Sequence, residues 1–302
     1  MTETSVVLMA YGTPRSRDEI EAYYTDIRRG RPPTPELLAD LIRRYDAIGG
    51  LSPLAARTEA QRAALEAALE RRAPGRFEVV LGLKHAHPMV EEAVADVVAR
   101  GIRHIVGIVL APHYSAFSVG QYLARLRAAA EPAGCDVRAI DSWATTPAYV
   151  SFLAAEVHRQ LVDLPVDSKI LFTAHSLPER ILTSGDPYPT ELRTTANWVA
   201  AAGALPSDQW SIAWQSAGRT PEPWLGPDVL EAIDELADQG VPGVLVCPCG
   251  FVSDHLEVLY DLDIEAAGRA AARGMAFART ASVNDDPAVM GALADRILGV
   301  AG

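Results

Sequence analysis

Short apolar runs alternate with amphipathic stretches along the whole chain. Apolar runs of strand length lie at residues 5–11, 77–83, 104–111, 136–140, 168–174, 210–215, 243–248 and 275–280. Helical spacing of apolar residues covers 17–27, 35–46, 53–72, 88–100, 117–130, 146–161, 190–202, 227–239, 254–272 and 286–298. Strands that alternate with helices form parallel sheets with helices on both faces. The pattern therefore predicts an α/β protein.

Polar residues and prolines mark the starts of several of these helices. Ser16 and Glu19 have the spacing of a capping box. Thr34-Pro35 and Ser52-Pro53 each place a proline at the expected first helical position. The sequence therefore predicts helices that begin at these three points.

The two halves of the chain repeat one pattern. VVLMAYGTP at residues 6–14 aligns with ILFTAHSLP at 170–178, and PMVEEA at 88–93 aligns with PDVLEA at 227–232. Matches in the same order indicate duplication of one α/β unit. No low-complexity linker separates the halves, which indicates that they pack closely.

This repeat predicts two similar doubly wound, Rossmann-like domains, residues 1–145 and 146–302, whose parallel sheets face a shared cleft. In such sheets, ligands bind outside the carboxyl ends of the strands. Tyr11 and His175 each end the first strand of their half. We expect them on opposite walls of the cleft.

Three acidic residues follow one another at intervals of four: Glu257, Asp261 and Glu265. On a helix this spacing stacks them along one side, where like charges repel. A divalent cation with oxygen ligands would offset that repulsion. A solvated acidic face is the alternative, and the segment alone does not choose between them.

Histidines near this acidic segment are candidates for metal binding or proton transfer. His175 is the main candidate, because imidazole beside carboxylates suits both roles near neutral pH. His255 is two residues from Glu257, so on a helix it would point elsewhere, and we predict a structural role. His85 is left open between a structural role and a place in the cleft, whereas His87 is expected at the surface.

The net charge of −12 argues against general nucleic-acid binding, because no broad basic field would attract phosphates. The dense basic patches are YYTDIRRGR at 23–31 and RRY at 43–45. Guanidinium groups beside tyrosines are typical of a site for a flat aromatic ligand that bears carboxylates. Ordinary salt-bridged helix ends are the alternative.

The three cysteines, Cys135, Cys247 and Cys249, form no even disulfide framework and are typical of a reducing cytosol. Three thiols cannot complete a four-cysteine iron–sulfur cluster, so we predict buried small side chains. The sequence shows neither a signal-peptide pattern nor an apolar stretch long enough to span a membrane. These features predict a cytoplasmic protein.

A series of short motifs in fixed order covers nearly the whole chain. They are MAYGTP at 9–14, YTDIRRGR at 24–31, RYDAIGGLSP at 44–53, GLKH at 82–85, AHSLP at 174–178, GDPYP at 185–189, WQS at 214–216, PWLGP at 223–227 and GFVSDHLE at 250–257. Together they resemble the ferrochelatase family. The resemblance is closest to the coproporphyrin ferrochelatases of Gram-positive bacteria, because Tyr-Gly-Thr-Pro follows the first strand.

The resemblance implies two chelatase-type domains that insert Fe²⁺ into a porphyrin in haem biosynthesis, most closely coproporphyrin III, with release of two protons. His175 and Glu257 resemble the pair that binds iron and accepts protons. Asp261 and Glu265 resemble an outer acidic relay. The residues that resemble tetrapyrrole contacts are Tyr11, Arg28, Arg44, Tyr45, Ser52 and Tyr122.

The same resemblance implies that Fe²⁺ and the porphyrin are substrates and that no further cofactor is required. Some actinobacterial members carry a cysteine-rich C-terminal extension with an iron–sulfur cluster. This chain has no such extension before Gly302, so we expect no cluster. Haem-pathway enzymes are left open as partners.

Other substrates and roles remain as alternatives. They are a protoporphyrin IX ferrochelatase, a chelatase of the cobalt or sirohydrochlorin type, and a non-catalytic tetrapyrrole carrier. A carrier would need no acidic relay behind its histidine.

Overall fold

Two parallel four-stranded sheets form the framework of a computed structural model that describes residues 2–218 and 220–302. The first sheet has the order β2-β1-β3-β4 and the second β6-β5-β7-β8. Every predicted strand is present. The bounds are β1 Thr4–Ala10, β2 Phe77–Leu83, β3 His104–Val109, β4 Asp136–Ile140, β5 Lys169–His175, β6 Trp210–Gln215, β7 Gly243–Cys247 and β8 Ala276–Arg279.

Each predicted helical range contains a helix. The bounds are α1 Ile20–Ile27, α2 Pro35–Ala47, α3 Leu54–Arg72, α4 Val90–Ala99, α5 Val119–Ala130, α6 Pro147–Leu161, α7 Arg180–Thr183, α8 Tyr188–Ala202, α9 Val229–Asp238, α10 Ala267–Ala272 and α11 Pro287–Ala301. The short α7 was not predicted. The range 254–272 contains a π-helix, Val258–Ala266, which runs directly into α10.

The predicted caps have mixed outcomes. Thr34 accepts a hydrogen bond from the Leu37 N–H at 3.4 Å, and α2 begins at Pro35 as expected. Ser52 accepts a hydrogen bond from the Leu54 N–H at 3.2 Å. Helix α3 begins at Leu54, one residue later than predicted. The Ser16–Glu19 capping box is wrong: Arg17–Glu19 is a single 3₁₀ turn, and the Glu19 carboxylate instead accepts from the Arg15 N–H at 2.7 Å.

The two halves share topology and local detail, which confirms the predicted α/β class with two similar parallel sheets. In both α4 and α9, the third helical residue is a glutamate that caps the backbone at the helix start. Glu92 accepts from the Met89 N–H at 2.8 Å, and Glu231 accepts from the Asp228 N–H at 3.0 Å. The bonds before Pro88 and Pro227 are both cis.

One hydrophobic core joins the halves. It includes Leu8 of β1 and Phe172 of β5, both fully buried. The C-terminal helix α11 packs against α3 of the first half as well as α6 of the second. Contacts therefore cross the boundary between residues 145 and 146, and the two-domain division 1–145 and 146–302 stays a prediction.

The carboxyl ends of β1 and β5 carry Tyr11 and His175, with further loops held close beside them. Gly250 donates its N–H to the Thr173 carbonyl at 2.9 Å, and a Cβ on Gly250 would lie 2.3 Å from the Ala174 Cβ. Only glycine permits this approach. The close packing brings the segment after β7 alongside the end of β5, where it leads into the π-helix.

Among the helices of residues 2–218 and 220–302, we find none whose length and apolar content would let it cross a membrane.

Candidate functional site

His175 and Glu257 face each other where β5 ends and the helical segment begins. His175 Nε2 lies 3.8 Å from Glu257 Oε1. His175 Nδ1 hydrogen-bonds the Ser176 carbonyl, which can only accept, so Nδ1 carries the proton in the neutral ring. The lone pair of Nε2 is therefore free for a metal ion or a proton on the side of Glu257.

His255 completes this group from the other side of Glu257. Its Nε2 lies 3.6 Å from Glu257 Oε2, and its Nδ1 donates to the Ser253 carbonyl at 2.9 Å. His255 precedes the first helical residue, Leu256, so the helical phase that predicted it would point away does not apply to it. Phe251 packs near both imidazoles, with ring centroids 6.4 Å from His175 and 5.0 Å from His255.

The charges in this group reinforce one another. Burial alone would raise the pKa of Glu257. His175, His255 and Arg44 lower it by more, so the pKa is below its ordinary value and the carboxylate is ionised. Burial lowers the pKa of His255, yet the bond and charge of Glu257 outweigh burial and raise it. An ionised carboxylate between two imidazoles can attract a cation and accept protons.

The acidic series continues along a π-helix rather than an α-helix. Its i→i+5 bonds give a wider turn than the 3.6 residues of an α-helix. Residues four apart then still fall on nearly the same side, so Glu257, Asp261 and Glu265 form a ladder. A π-helix of nine residues is rare, and such segments are concentrated at functional sites.

Asp261 is the buried middle member of the ladder. Ser216, which has a left-handed φ of 60°, donates from its Oγ to Asp261 Oδ2 at 2.5 Å. Burial and the negative charge of Glu257 raise the pKa of Asp261 to about 6, although Ser216 and Arg44 lower it. The carboxylate therefore changes charge close to neutral pH.

Arg44 lies against this ladder rather than in open solvent. Its Nη1 is 3.3 Å from Asp261 Oδ1, and its Nη2 is 4.0 Å from Glu265 Oε1. Its guanidinium also stacks over the Tyr260 ring at 4.6 Å, and Arg43 Nη1 donates to the Tyr260 hydroxyl at 2.7 Å. Helix α2 of the first half thus supplies the positive charge beside the π-helix of the second.

Tyr11 and His85 form a ring pair just beyond the ends of β1 and β2. Tyr11 follows β1, remains 41% exposed, and packs against the His85 ring at 4.6 Å between centroids. Desolvation raises the pKa of Tyr11, and the negative charge of Glu257 raises it further. The placement of Tyr11 opposite His175 and Glu257, on the other wall of a shared cleft, stays a prediction.

The other predicted tetrapyrrole contacts differ in exposure. Tyr45, Ser52 and Tyr122 are largely buried. Burial raises the pKa of Tyr45, and the charge of Glu257 raises it further. Arg28 contacts the Tyr24 ring at 5.7 Å and donates to the Arg31 carbonyl. In the described part of the chain, no acidic side chain lies within ion-pair distance of Arg28, so its charge is available to an anionic ligand.

Among the described residues, no group of three or more His, Cys, Asp and Glu side chains is arranged to hold a metal ion. The three cysteines are buried and unpaired, as predicted for small core side chains.

Comparisons with known proteins identify the family. The chain matches the family model described as "Ferrochelatase" over residues 3–299. It is 42% identical to the "Ferrochelatase" of Herpetosiphon aurantiacus, over 98% of this chain and 99% of that protein. It is 45% identical to the "Coproporphyrin III ferrochelatase" of Geobacillus thermodenitrificans, over 97% of this chain and 94% of that protein.

A comparison of structures gives the same fold. SirB from Bacillus subtilis, solved with Fe³⁺, superposes with a TM-score of 0.58 at 13% identity, over 100% of this chain and 96% of that chain. At this identity the likeness concerns the fold alone. The family model and the near full-length relatives identify more than the fold, and the chain belongs to the ferrochelatase family.

Proposed function

We propose that this protein inserts Fe²⁺ into coproporphyrin III, with release of two protons. The observation that carries the proposal is the group of Glu257 between His175 and His255. The family membership supports metal insertion. Relatives named "Coproporphyrin III ferrochelatase", such as that of Bacillus subtilis at 42% identity, support the choice of porphyrin.

The basic patch supports the same substrate. Coproporphyrin III carries four propionates, and protoporphyrin IX carries two. Arg28 has no acidic partner among the described residues and lies on the tyrosine-rich end of α1, so it can pair with a propionate. Arg44 was predicted to share this role, but its guanidinium pairs with Asp261. We propose that Arg28 binds propionate and that Arg44 mainly balances the ladder.

The chemistry follows from the tautomers. Two pyrrole N–H protons must leave the macrocycle as Fe²⁺ enters it. His175 and His255 each tie Nδ1 to a carbonyl and turn Nε2 toward Glu257. We propose that His175 and Glu257 hold Fe²⁺ on one face of the macrocycle. As Fe²⁺ passes to the pyrrole nitrogens, the freed Nε2 lone pair and carboxylate each accept one pyrrole proton, while Tyr11 contacts the other face. Asp261 and Glu265 would extend this path outward.

The same proposal extends to the cofactor requirement and the cellular location. Fe²⁺ and the porphyrin are substrates, and we propose that the reaction requires no cofactor or iron–sulfur cluster. We further propose that the protein works in the cytoplasm, where other haem-pathway enzymes would supply the porphyrin and take up the product.

The test is a spectrophotometric insertion assay that pairs Fe²⁺ with coproporphyrin III or with protoporphyrin IX. We expect faster insertion into coproporphyrin III. His175→Ala should abolish insertion and leave porphyrin binding largely intact, because the imidazole acts on the metal and protons rather than on the propionates. His104→Ala is the matched control, since His104 pairs with Asp136 on an exposed strand end.

Other outcomes would redirect the assignment. Preferential use of protoporphyrin IX would change the substrate, and insertion of Co²⁺ into sirohydrochlorin alone would indicate the other chelatase class. Tight haem binding without any metal insertion would indicate a carrier. Normal turnover by His175→Ala would contradict the role of His175.

A further inference from the structure

His85, held by Asp26, stands outside the mechanism described above although it packs directly on Tyr11. The side chain of His85 is only 13% exposed. Its Nδ1 lies 2.6 Å from Asp26 Oδ2, and its ring lies 4.6 Å from that of Tyr11. An ionised carboxylate can only accept hydrogen bonds, so Nδ1 carries the proton and donates a hydrogen bond to Asp26.

The backbones of Tyr11 and His85 are fixed relative to each other. The Lys84 N–H donates to the Ala10 carbonyl at 2.9 Å, and the His85 N–H donates to the Tyr11 carbonyl at 3.0 Å, which extends the β1–β2 ladder beyond both strands. A Cβ on Gly12 would lie 2.8 Å from the Ala86 Cβ. Only side-chain rotation is therefore left to move the Tyr11 ring relative to its neighbour.

Helix α1 fixes that rotation. Asp26 comes from α1 and sets the plane of the His85 ring through the hydrogen bond, and the His85 ring in turn packs against one side of Tyr11. Tyr23, also on α1, donates from its hydroxyl to the Gly12 carbonyl at 3.2 Å. The helix that directly precedes Arg28 is thus joined to Gly12 by Tyr23 and to the Tyr11 ring through His85.

We infer that His85 is a positioning residue for metal insertion: oriented by Asp26, it holds the Tyr11 ring at a fixed angle against the face of the bound porphyrin. The inference rests on the proposed function. Propionates bound at Arg28 would fix α1, and the Asp26–His85–Tyr11 contacts would then carry the position of α1 to the macrocycle face. Small misplacements of a positioning group reduce turnover more than binding.

Matched variants separate the hydrogen bond from charge and packing. Asp26→Asn keeps an oxygen that accepts from His85, whereas Asp26→Ala removes it, and both remove the same charge. His85→Phe keeps a ring beside Tyr11 without the hydrogen bond, and His85→Ala removes both. His87→Ala is the control, because His87 is two residues away and pairs with Glu92 at the surface.

The measurements are kcat and KM for coproporphyrin III with Fe²⁺, and the absorption spectrum of the bound free-base porphyrin. We expect His85→Ala, His85→Phe and Asp26→Ala to lower kcat about tenfold, with KM changed less than about threefold. Their bound-porphyrin spectra should shift together. Asp26→Asn and His87→Ala should resemble the wild type.

Several outcomes would overturn the inference. Wild-type kinetics in His85→Phe would show that His85 acts only by packing its ring against Tyr11. An equal loss of kcat in Asp26→Asn and Asp26→Ala would show that the charge of Asp26, and not its hydrogen bond, is responsible. A change in KM alone would make His85 a porphyrin contact. If His85→Ala does not fold, the two Asp26 variants still decide the question. Absence of insertion by the wild type would instead refute the proposed function.

Discussion

At the scale of single residues, the site depends on which nitrogen of each histidine faces Glu257. The strand end indicated His175 and the acidic spacing indicated Glu257 as candidates, and the family resemblance predicted them as a pair. His255 was missed because helical phase was applied to a residue that precedes the helix. The signal that could have found it is its place in the loop directly before the helix, where the chain direction and not helical phase sets the side chain.

The role of His255 can be tested through pH. His255→Ala should lower the insertion rate about tenfold or more, as loss of a residue that supports a metal-binding group does. Because the bond and charge of His255 lower the pKa of Glu257, their loss should let that pKa rise. The acidic limb of the kcat/KM profile should then move to higher pH.

The control for this variant is His104→Ala, since His104 lies at the same 3.6 Å from a carboxylate but on the surface. A pH–rate profile measured for the wild type and both variants checks the prediction. An unchanged rate and profile in His255→Ala would return His255 to a structural role.

At the scale of elements, the π-helix turns a run of acidic residues into a ladder whose middle member is buried. The sequence indicated the spacing and left a solvated face as the alternative. The structure buries Asp261 and supplies Arg44 and Ser216 as partners. Repulsion between these like charges lowers the stability of the folded protein. Ionised Asp261 is the least favourable of the three charges, because it is buried beside Glu257.

Asp261→Asn should therefore stabilise the protein near neutral pH. The raised pKa of about 6 means that folding favours the protonated form, so this group costs stability as pH rises from its ordinary pKa through about 6. The shift corresponds to about 3 kcal/mol of unfolding free energy. Denaturant unfolding should show this gain at about pH 7.5 and only about a third of it at about pH 4.5.

The same variant should need a higher Fe²⁺ concentration for half-maximal insertion, because a carboxylate of the path is lost. Asp263→Asn is the matched control: Asp263 lies on the same π-helix but pairs with Arg279 at 2.7 Å, so its loss should bring no stabilisation. A less stable Asp261→Asn at both pH values would show that the charge is favourable in the fold.

At the scale of the whole molecule, the halves are joined by one core and by α11. Leu293 of α11 is fully buried in the same cluster as Leu65 and Leu69 of α3. The two halves therefore share one packed core, although the topology of each sheet is complete in its own half.

Leu293→Ala should reduce the unfolding free energy by roughly 3 kcal/mol, the usual cost of truncating a buried leucine. Because one core spans both sheets, thermal unfolding should remain a single transition at a lower midpoint. Val166→Ala, at an 85% exposed position, should change stability by less than about 0.5 kcal/mol. Two separate transitions in calorimetry would show that the halves unfold independently.

The sequence by itself determined the strands, the helices, the duplicated topology and the placement of Tyr11 and His175 at strand ends. These follow from local periodicity and from the rule that parallel strands end at one edge. Only the tertiary structure decided that His255 joins Glu257, that Arg44 pairs with Asp261, and that Asp26 orients His85. Such contacts join side chains from separate elements, and their directions depend on packing and helix type, which local sequence does not specify.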